Sequence, residues 1–234
     1  MKDEILKQLQ TLTSQEKQNL FFEFLSLSDS HTIQIKGKTF QADSLDIVKA
    51  LIESGVNVNV KDGVGSTPLF YANSKKIVEL LIQSGADVNI KNKYENTPLF
   101  FFQSKEVAKV LIQSGADVNV QNRYGETLLF SSPSEEITEF LIQVGINVNT
   151  QNKHKETSLF FAKSKEMVEL LIEHGADISV QNNDGQTAAE FQRFYGRPDL
   201  ADFLEQKAIE FEQEKLNHNL PNTKKISNKL KNHL

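Results

Sequence analysis

The chain contains no cysteine, which excludes disulfides and cysteine-ligated zinc sites and removes any need for an oxidising compartment. No stretch approaches the roughly 18 consecutive apolar residues of a membrane span. The first residues, M-K-D-E-I-L-K-Q, carry acids where a secretory leader carries an apolar run. These absences set the expectation of a cytoplasmic protein that does not engage a membrane. Positive charge is scarce outside one place. The net charge is −5, and Lys224, Lys225, Lys229 and Lys231 fall in the last 14 residues, which hold no acid. Setting those four charges aside leaves −9 on the rest. A body of that sign is not a general nucleic-acid binder, and it favours basic partners mildly.

Patterns that carry chemistry are missing too. His31, His154, His174, His218 and His233 form no H-x-x-x-H or H-E-x-x-H zinc pattern. There is no G-x-S-x-G elbow, no Walker-type phosphate loop and no kinase signature. His174 precedes Gly175, where a cation suits the end of a helix. The expectation is therefore a protein without catalytic residues, cofactor or metal.

What the chain does have is repetition. Gly55, Gly85, Gly115, Gly145 and Gly175 recur every 30 residues, each inside a phrase such as Q-S-G-A-D-V-N. A fixed period of this size denotes stacked supersecondary units. Each unit opens on Thr, as in Thr67-Pro68-Leu69-Phe70, Thr97-Pro98-Leu99-Phe100, Thr127-Leu128-Leu129-Phe130 and Thr157-Ser158-Leu159-Phe160. A capping hydroxyl followed by proline at the first position starts a helix. A second start follows at Ser44, Ser74, Ser104, Ser134 or Ser164. An apolar run then paints one helical face, as in Ile77-Val78-x-Leu80-Leu81-Ile82. The recurring glycine ends that helix. A short, turn-rich segment such as Asp87-Val88-Asn89-Ile90-Lys91-Asn92 leads to the next Thr. Asp87, Asp117 and Asp177 belong to this turn phrase, where they bond local backbone rather than a metal.

This helix–helix–hairpin unit resembles the ankyrin repeat, whose period is about 33 residues and whose signature is T-P-L-H-x-A with a later G-A-D-V-N phrase. The resemblance implies an all-α repeat solenoid: an ankyrin-like helix-turn-helix-hairpin stack with helical N- and C-terminal caps. It spans residues 31–206, as repeats 31–60, 61–90, 91–120, 121–150 and 151–180 and a closing repeat 181–206. In the first of these, Phe40-x-Ala42-x-Ser44 parallels Phe70-x-Ala72-x-Ser74.

Two departures stand out. Thr187 precedes Leu200 by 13 residues, whereas Thr67 precedes the equivalent Ile77 by 10. The first helix of each inner repeat is therefore cut to about a turn and a half, too short to stand without its neighbours. Phe70, Phe100, Phe130 and Phe160 also stand where the family usually has His. Phenylalanine cannot make that histidine's hydrogen bond across repeats, so a stacked aromatic ladder is expected instead.

Residues 1–30 read as an N-terminal helical cap. Thr13-Ser14-Gln15-Glu16 has capping-box form, ahead of a stripe of Leu20, Phe21, Phe24 and Leu25. Residues 207–220 extend the last helix, and 221–234 form a basic tail read as disordered.

Function is sought where repeats vary. The tips of the turn segments vary most, through Gly63-Val64, Lys93-Tyr94, Arg123-Tyr124, Lys153-His154 and Asn183-Asp184. Tyr and Arg are favoured interface anchors. Candidate partner contacts are therefore Tyr94, Arg123, Tyr124 and His154, with Lys93 and Lys153 beside them. A second set is Tyr71, Phe101 and Phe161, a row interrupted by Ser131. These rings either face a concave binding groove or turn into the core. Glu95 and Lys155 replace the glycine seen at Gly65, Gly125 and Gly185, so those tips must strain or adopt another turn. The expected function is non-catalytic binding of a protein partner by a monomer. The rivals are an inhibitor or immunity-type protein that blocks a toxic enzyme, and an effector directed at a host.

Overall fold

The computed structural model describes residues 2–25, 30–35 and 38–219. The basic stretch 221–234 lies outside them. The chain divides into two compact units, residues 1–128 with 143–146, and residues 129–142 with 147–234.

The first unit begins with α1 (Lys2–Gln10) and α2 (Ser14–Leu25). The capping box forms as the sequence predicts. Thr13 N–H donates to Glu16 Oε2 at 2.7 Å, and Glu16 N–H donates to Thr13 Oγ1 at 3.2 Å. Phe21, Phe24 and Leu25 are buried, and both helices pack against α3 (Ser44–Glu53). Between them runs an antiparallel hairpin of β1 (Ser30–Ile35) and β2 (Lys38–Asp43), with Ser30 opposite Asp43 and Ile35 opposite Lys38. The Phe40/Ala42/Ser44 phrase thus runs along a strand into α3, not along a short helix. Asp43 caps α3 through Leu45 N–H at 2.9 Å, and Ser44 is its first residue rather than its cap.

The inner repeats follow a common plan. A 3₁₀ turn at Pro68–Phe70 precedes α4 (Lys75–Gln83), and one at Pro98–Phe101 precedes α5 (Lys105–Gln113). In the second unit α6 (Glu135–Gln143, its last residue grouped with the first unit) is followed by a 3₁₀ turn at Ser158–Phe161 and α7 (Lys165–Glu173). The three-residue deficit explains the 3₁₀ geometry, because a segment this short closes only i→i+3 bonds. The closing repeat supplies the control. With three more residues it forms α8 (Ala188–Phe194), capped reciprocally by Thr187 and Glu190, and then α9 (Pro198–Asn219).

The buried faces match the predicted apolar runs. Ile77, Val78 and Leu81 are buried on α4, Val107, Ala108 and Leu111 on α5, and Met167, Val168 and Leu171 on α7. The glycine after each helix takes φ between 87° and 94°, from Gly55 to Gly175, a conformation that costs a Cβ-bearing residue. The Thr row departs from expectation. The Oγ1 atoms of Thr67, Thr97, Thr127 and Thr157 are buried and make no hydrogen bond. A 3₁₀ turn draws its N–H groups away from the cap, and phenylalanine at the third residue beyond offers no polar atom.

Asparagine joins consecutive repeats. Asn59 Nδ2 donates to Gly85 O at 2.8 Å while its Oδ1 accepts from Asp87 N–H at 3.0 Å. Asn89 does the same with Gly115 O at 2.8 Å and Asp117 N–H at 2.9 Å. In the second unit Asn149 binds Gly175 O at 2.7 Å and Asp177 N–H at 2.8 Å. Asp87, Asp117 and Asp177 each accept from the N–H two residues on, at 2.9, 2.8 and 2.9 Å, which is the local role their turn phrase predicts.

Candidate partner-binding surface

Each tip is built around one side chain. Asn92 Oδ1 accepts from Tyr94 N–H at 2.9 Å and Asn96 N–H at 3.2 Å. Asn122 holds Tyr124 N–H at 2.9 Å and Glu126 N–H at 3.1 Å. Asn152 and Asn182 repeat the arrangement in the second unit, and Asp62 takes the same place in the first. The turn also needs a left-handed residue three positions on. Gly65, Gly125 and Gly185 supply φ of 82°, 80° and 76°, and Glu95 and Lys155 adopt 62° and 61°. Those two side chains accept the strain and keep the turn unchanged.

Main-chain bonds link successive tips. Lys93 N–H donates to Val64 O and Arg123 N–H to Tyr94 O, both at 2.9 Å, in the first unit. Asn183 N–H donates to His154 O at 2.9 Å in the second. The side chains these tips present are accessible. Tyr94 is 42% exposed and Tyr124 54%. The Arg123 guanidinium lies 5.5 Å from the centre of the Tyr94 ring, within cation–π range. Lys93 Nζ is engaged by Gly63 O at 2.7 Å. The first unit therefore gathers Lys93, Tyr94, Arg123 and Tyr124 on adjoining tips. Lys153 and His154 are exposed on a tip of the second unit.

In the second predicted set Phe101 and Phe161 lie on 3₁₀ turns and Tyr71 directly follows one. Tyr71 is 38% exposed; its hydroxyl donates to Asp62 Oδ2, and its ring meets Phe22 edge-on at 5.6 Å. Burial pushes the Asp62 carboxyl up, but the Tyr71 hydroxyl and the N–H groups of Val64, Ser66 and Gly65 outweigh that and hold it below the ordinary range. Burial and the facing carboxylate push the Tyr71 phenol up. Phe101 is 44% exposed with one face on Phe70 at 5.6 Å. Phe161, half-buried, packs between Phe130 at 5.5 Å and Phe191 at 5.6 Å. The row is thus neither free nor lost to the core. The aromatic contacts also cross between rows, Phe70 to Phe101, Phe130 to Phe161 and Phe160 to Phe191, where a straight ladder of Phe70, Phe100, Phe130 and Phe160 was expected.

Sequence reasoning missed a cavity of about 380 Å³ in the second unit, at which this aromatic row meets Lys163, Gln192, Tyr195 and Arg197. Phe191 was legible, since it stands four residues after Thr187 as Phe161 does after Thr157. Lys163 and Arg197 lie outside the helix that carries Phe191, and Gln192, beside it on α8, stands where the preceding repeat has Ala162. Among the described residues no three His, Asp or Glu side chains gather as a metal set, and no helix is long and apolar enough to cross a membrane.

Known proteins resemble this architecture. A family model described as ankyrin repeats in three copies matches residues 38–122, 73–152, 101–182 and 130–215. A chain in the structure of the Bd0816 predatory endopeptidase from Bdellovibrio bacteriovorus in complex with immunity protein Bd3460 is 28% identical, over 69% of this chain and 91% of that one, with a TM-score of 0.62. An ankyrin repeat domain from Acinetobacter baumannii AYE is 28% identical over 68% and 90%, with a TM-score of 0.57. The ankyrin repeat protein EF0377 is 26% identical over 69% and 92%, with a TM-score of 0.57. No curated protein matches the chain.

Proposed function

Because the chain belongs to the ankyrin repeat family, whose repeats are protein-interaction modules, we propose that it is a non-catalytic binder that grips a protein partner through its tips and first-turn aromatics. The observation that carries this is the arrangement of Tyr94, Arg123 and Tyr124. Large side chains stand exposed on a backbone already fixed by the Asn92 and Asn122 turns and by the Arg123–Tyr94 main-chain bond. Rigid, exposed Tyr and Arg lose little freedom on contact and bury much area. The protein acts as a cytoplasmic monomer in this reading.

The test is capture of partners from lysate of the source cells by the immobilised protein, against a Tyr94→Ala/Arg123→Ala/Tyr124→Ala variant. One dominant protein, lost with the variant while the melting temperature holds, is the expected result. Capture equal in both proteins would remove the tips from the reading. Because truncating anchors typically costs about 2 kcal/mol each, retention should fall by at least about tenfold.

The Bdellovibrio complex favours a more specific reading, in which the partner is an enzyme that the protein silences. Its outcome differs: the captured protein would be a hydrolase whose activity falls on addition of equimolar protein. A captured protein with no such activity would set this version aside and leave the binder.

A further inference from the structure

The second unit carries a pocket whose chemistry differs from its counterpart in the first. Its floor is a fixed cluster of rings. Phe161 meets Phe130 at 5.5 Å and Phe191 at 5.6 Å, and Phe191 meets Tyr195 at 4.6 Å. Gln192, 1% exposed, locks the base by donating through Nε2 to Phe160 O and Ala162 O, both at 2.9 Å. Tyr195 forms an open edge at 63% exposure.

Two cations complete the lining, and no acid does. Lys163 Nζ is held by Ser132 O at 3.1 Å, and Arg197 reaches Gln192 Oε1 at 3.4 Å. Among the described residues neither has a carboxylate partner. The equivalent cavity of the first unit, about 260 Å³, is bordered by Phe70, Tyr71 and Phe101 with Asn73 and Gln103, and carries no charge. Position by position, the residue six after the repeat's Thr is Asn73, Gln103, Pro133 and then Lys163. The positive charge therefore sets this pocket apart from its counterpart, within a chain of net charge −5.

We infer that this pocket takes a peptide segment presenting a bulky apolar side chain beside a carboxylate. The apolar group lies on the Phe161–Phe191–Tyr195 rings, and the carboxylate meets Lys163 and Arg197. Two unpaired cations at the mouth of an aromatic cavity repel a basic ligand and favour an acidic one. The inference rests on the binding reading above and specifies the partner chemistry at one part of its surface. It differs in place from the tips of the first unit, so the two can fail separately.

A random dodecapeptide library displayed on phage, selected against the intact protein, tests it. The enriched peptides should share Phe, Leu, Ile or Met next to Asp or Glu. Their affinity, read by fluorescence anisotropy on synthetic copies, should fall about tenfold in Lys163→Gln/Arg197→Gln, on the scale of two exposed charge pairs. It should be unchanged in the Tyr94→Ala/Arg123→Ala/Tyr124→Ala variant. Charge reversal by Lys163→Glu/Arg197→Glu should move selection toward Lys- and Arg-bearing peptides. Thermal melts of each variant matching the parent exclude misfolding, and Phe161→Leu, which keeps an apolar floor, gives an independent loss of affinity. Enrichment of peptides without acids, no enrichment, or anisotropy indifferent to the neutralised pair overturns the inference. If the tip variant alone loses a captured partner, the pocket proposal falls while the binder stands.

Discussion

Glu95 and Lys155 hold a backbone conformation that glycine holds at three other tips. A left-handed residue with a Cβ costs about 1–2 kcal/mol, and glycine returns part of that as unfolded-state entropy. Glu95→Gly and Lys155→Gly should each raise unfolding stability by about 0.5–1 kcal/mol, read as a higher urea midpoint with an unchanged slope. A lower midpoint would mean the side chains make contacts that outweigh the strain. The Asp62–Tyr71 pair gives a pH signature. The Asp62 carboxyl lies below its ordinary 3.8, so its stabilisation is complete above that value and is lost as pH falls through the depressed one. The Tyr71 phenol lies above its ordinary 10.0, so its stabilisation is complete below pH 10 and is lost as pH rises through the raised value. Tyr71→Phe should therefore lower stability between these limits and flatten both edges of the stability–pH curve. A curve parallel to the parent's would show that the pair contributes nothing.

At the scale of elements, the sequence was legible where one residue decides one local conformation. The period-30 glycines, the Thr13–Glu16 box and the apolar faces of α4, α5 and α7 were read this way. The shortened first helix was also legible in the distance from Thr67 to Ile77, although not its 3₁₀ form. The β1–β2 hairpin was missed because Phe40-x-Ala42-x-Ser44 copies the phrase of the later repeats. The alternation of Ile33 with Ile35 and of Phe40 with Ala42 was the strand signal passed over. The asparagine clasps joined residues about a full repeat apart, which no local pattern displays. Asn89 secures Gly115 O and Asp117 N–H together. Asn89→Ala should cost about 1–2 kcal/mol in urea unfolding, and Asn89→Asp, which keeps the acceptor but loses the donor, should recover part of it. Equal stability of all three proteins would make the clasp ornamental.

At the scale of the molecule, stability within each compact unit is distributed as bonds between neighbouring repeats, so no one core decides the fold. That is why the family was legible from phrases alone and why binding chemistry was not. The tips of the first unit could be named because Tyr and Arg interrupt an otherwise repeated pattern. Lys163, Gln192 and Arg197 could not, since the segment after a 3₁₀ turn, α8 and the link between α8 and α9 contribute them separately. Each of these links from tip to tip includes a bond between main-chain atoms, Lys93 to Val64, Arg123 to Tyr94 and Asn183 to His154. Amide and carbonyl groups are the same in every residue. The main-chain part of the framework therefore does not depend on which side chains the exposed tip positions display, and a lineage of such proteins can exchange them one at a time, acquiring new partners without passing through an unfolded intermediate.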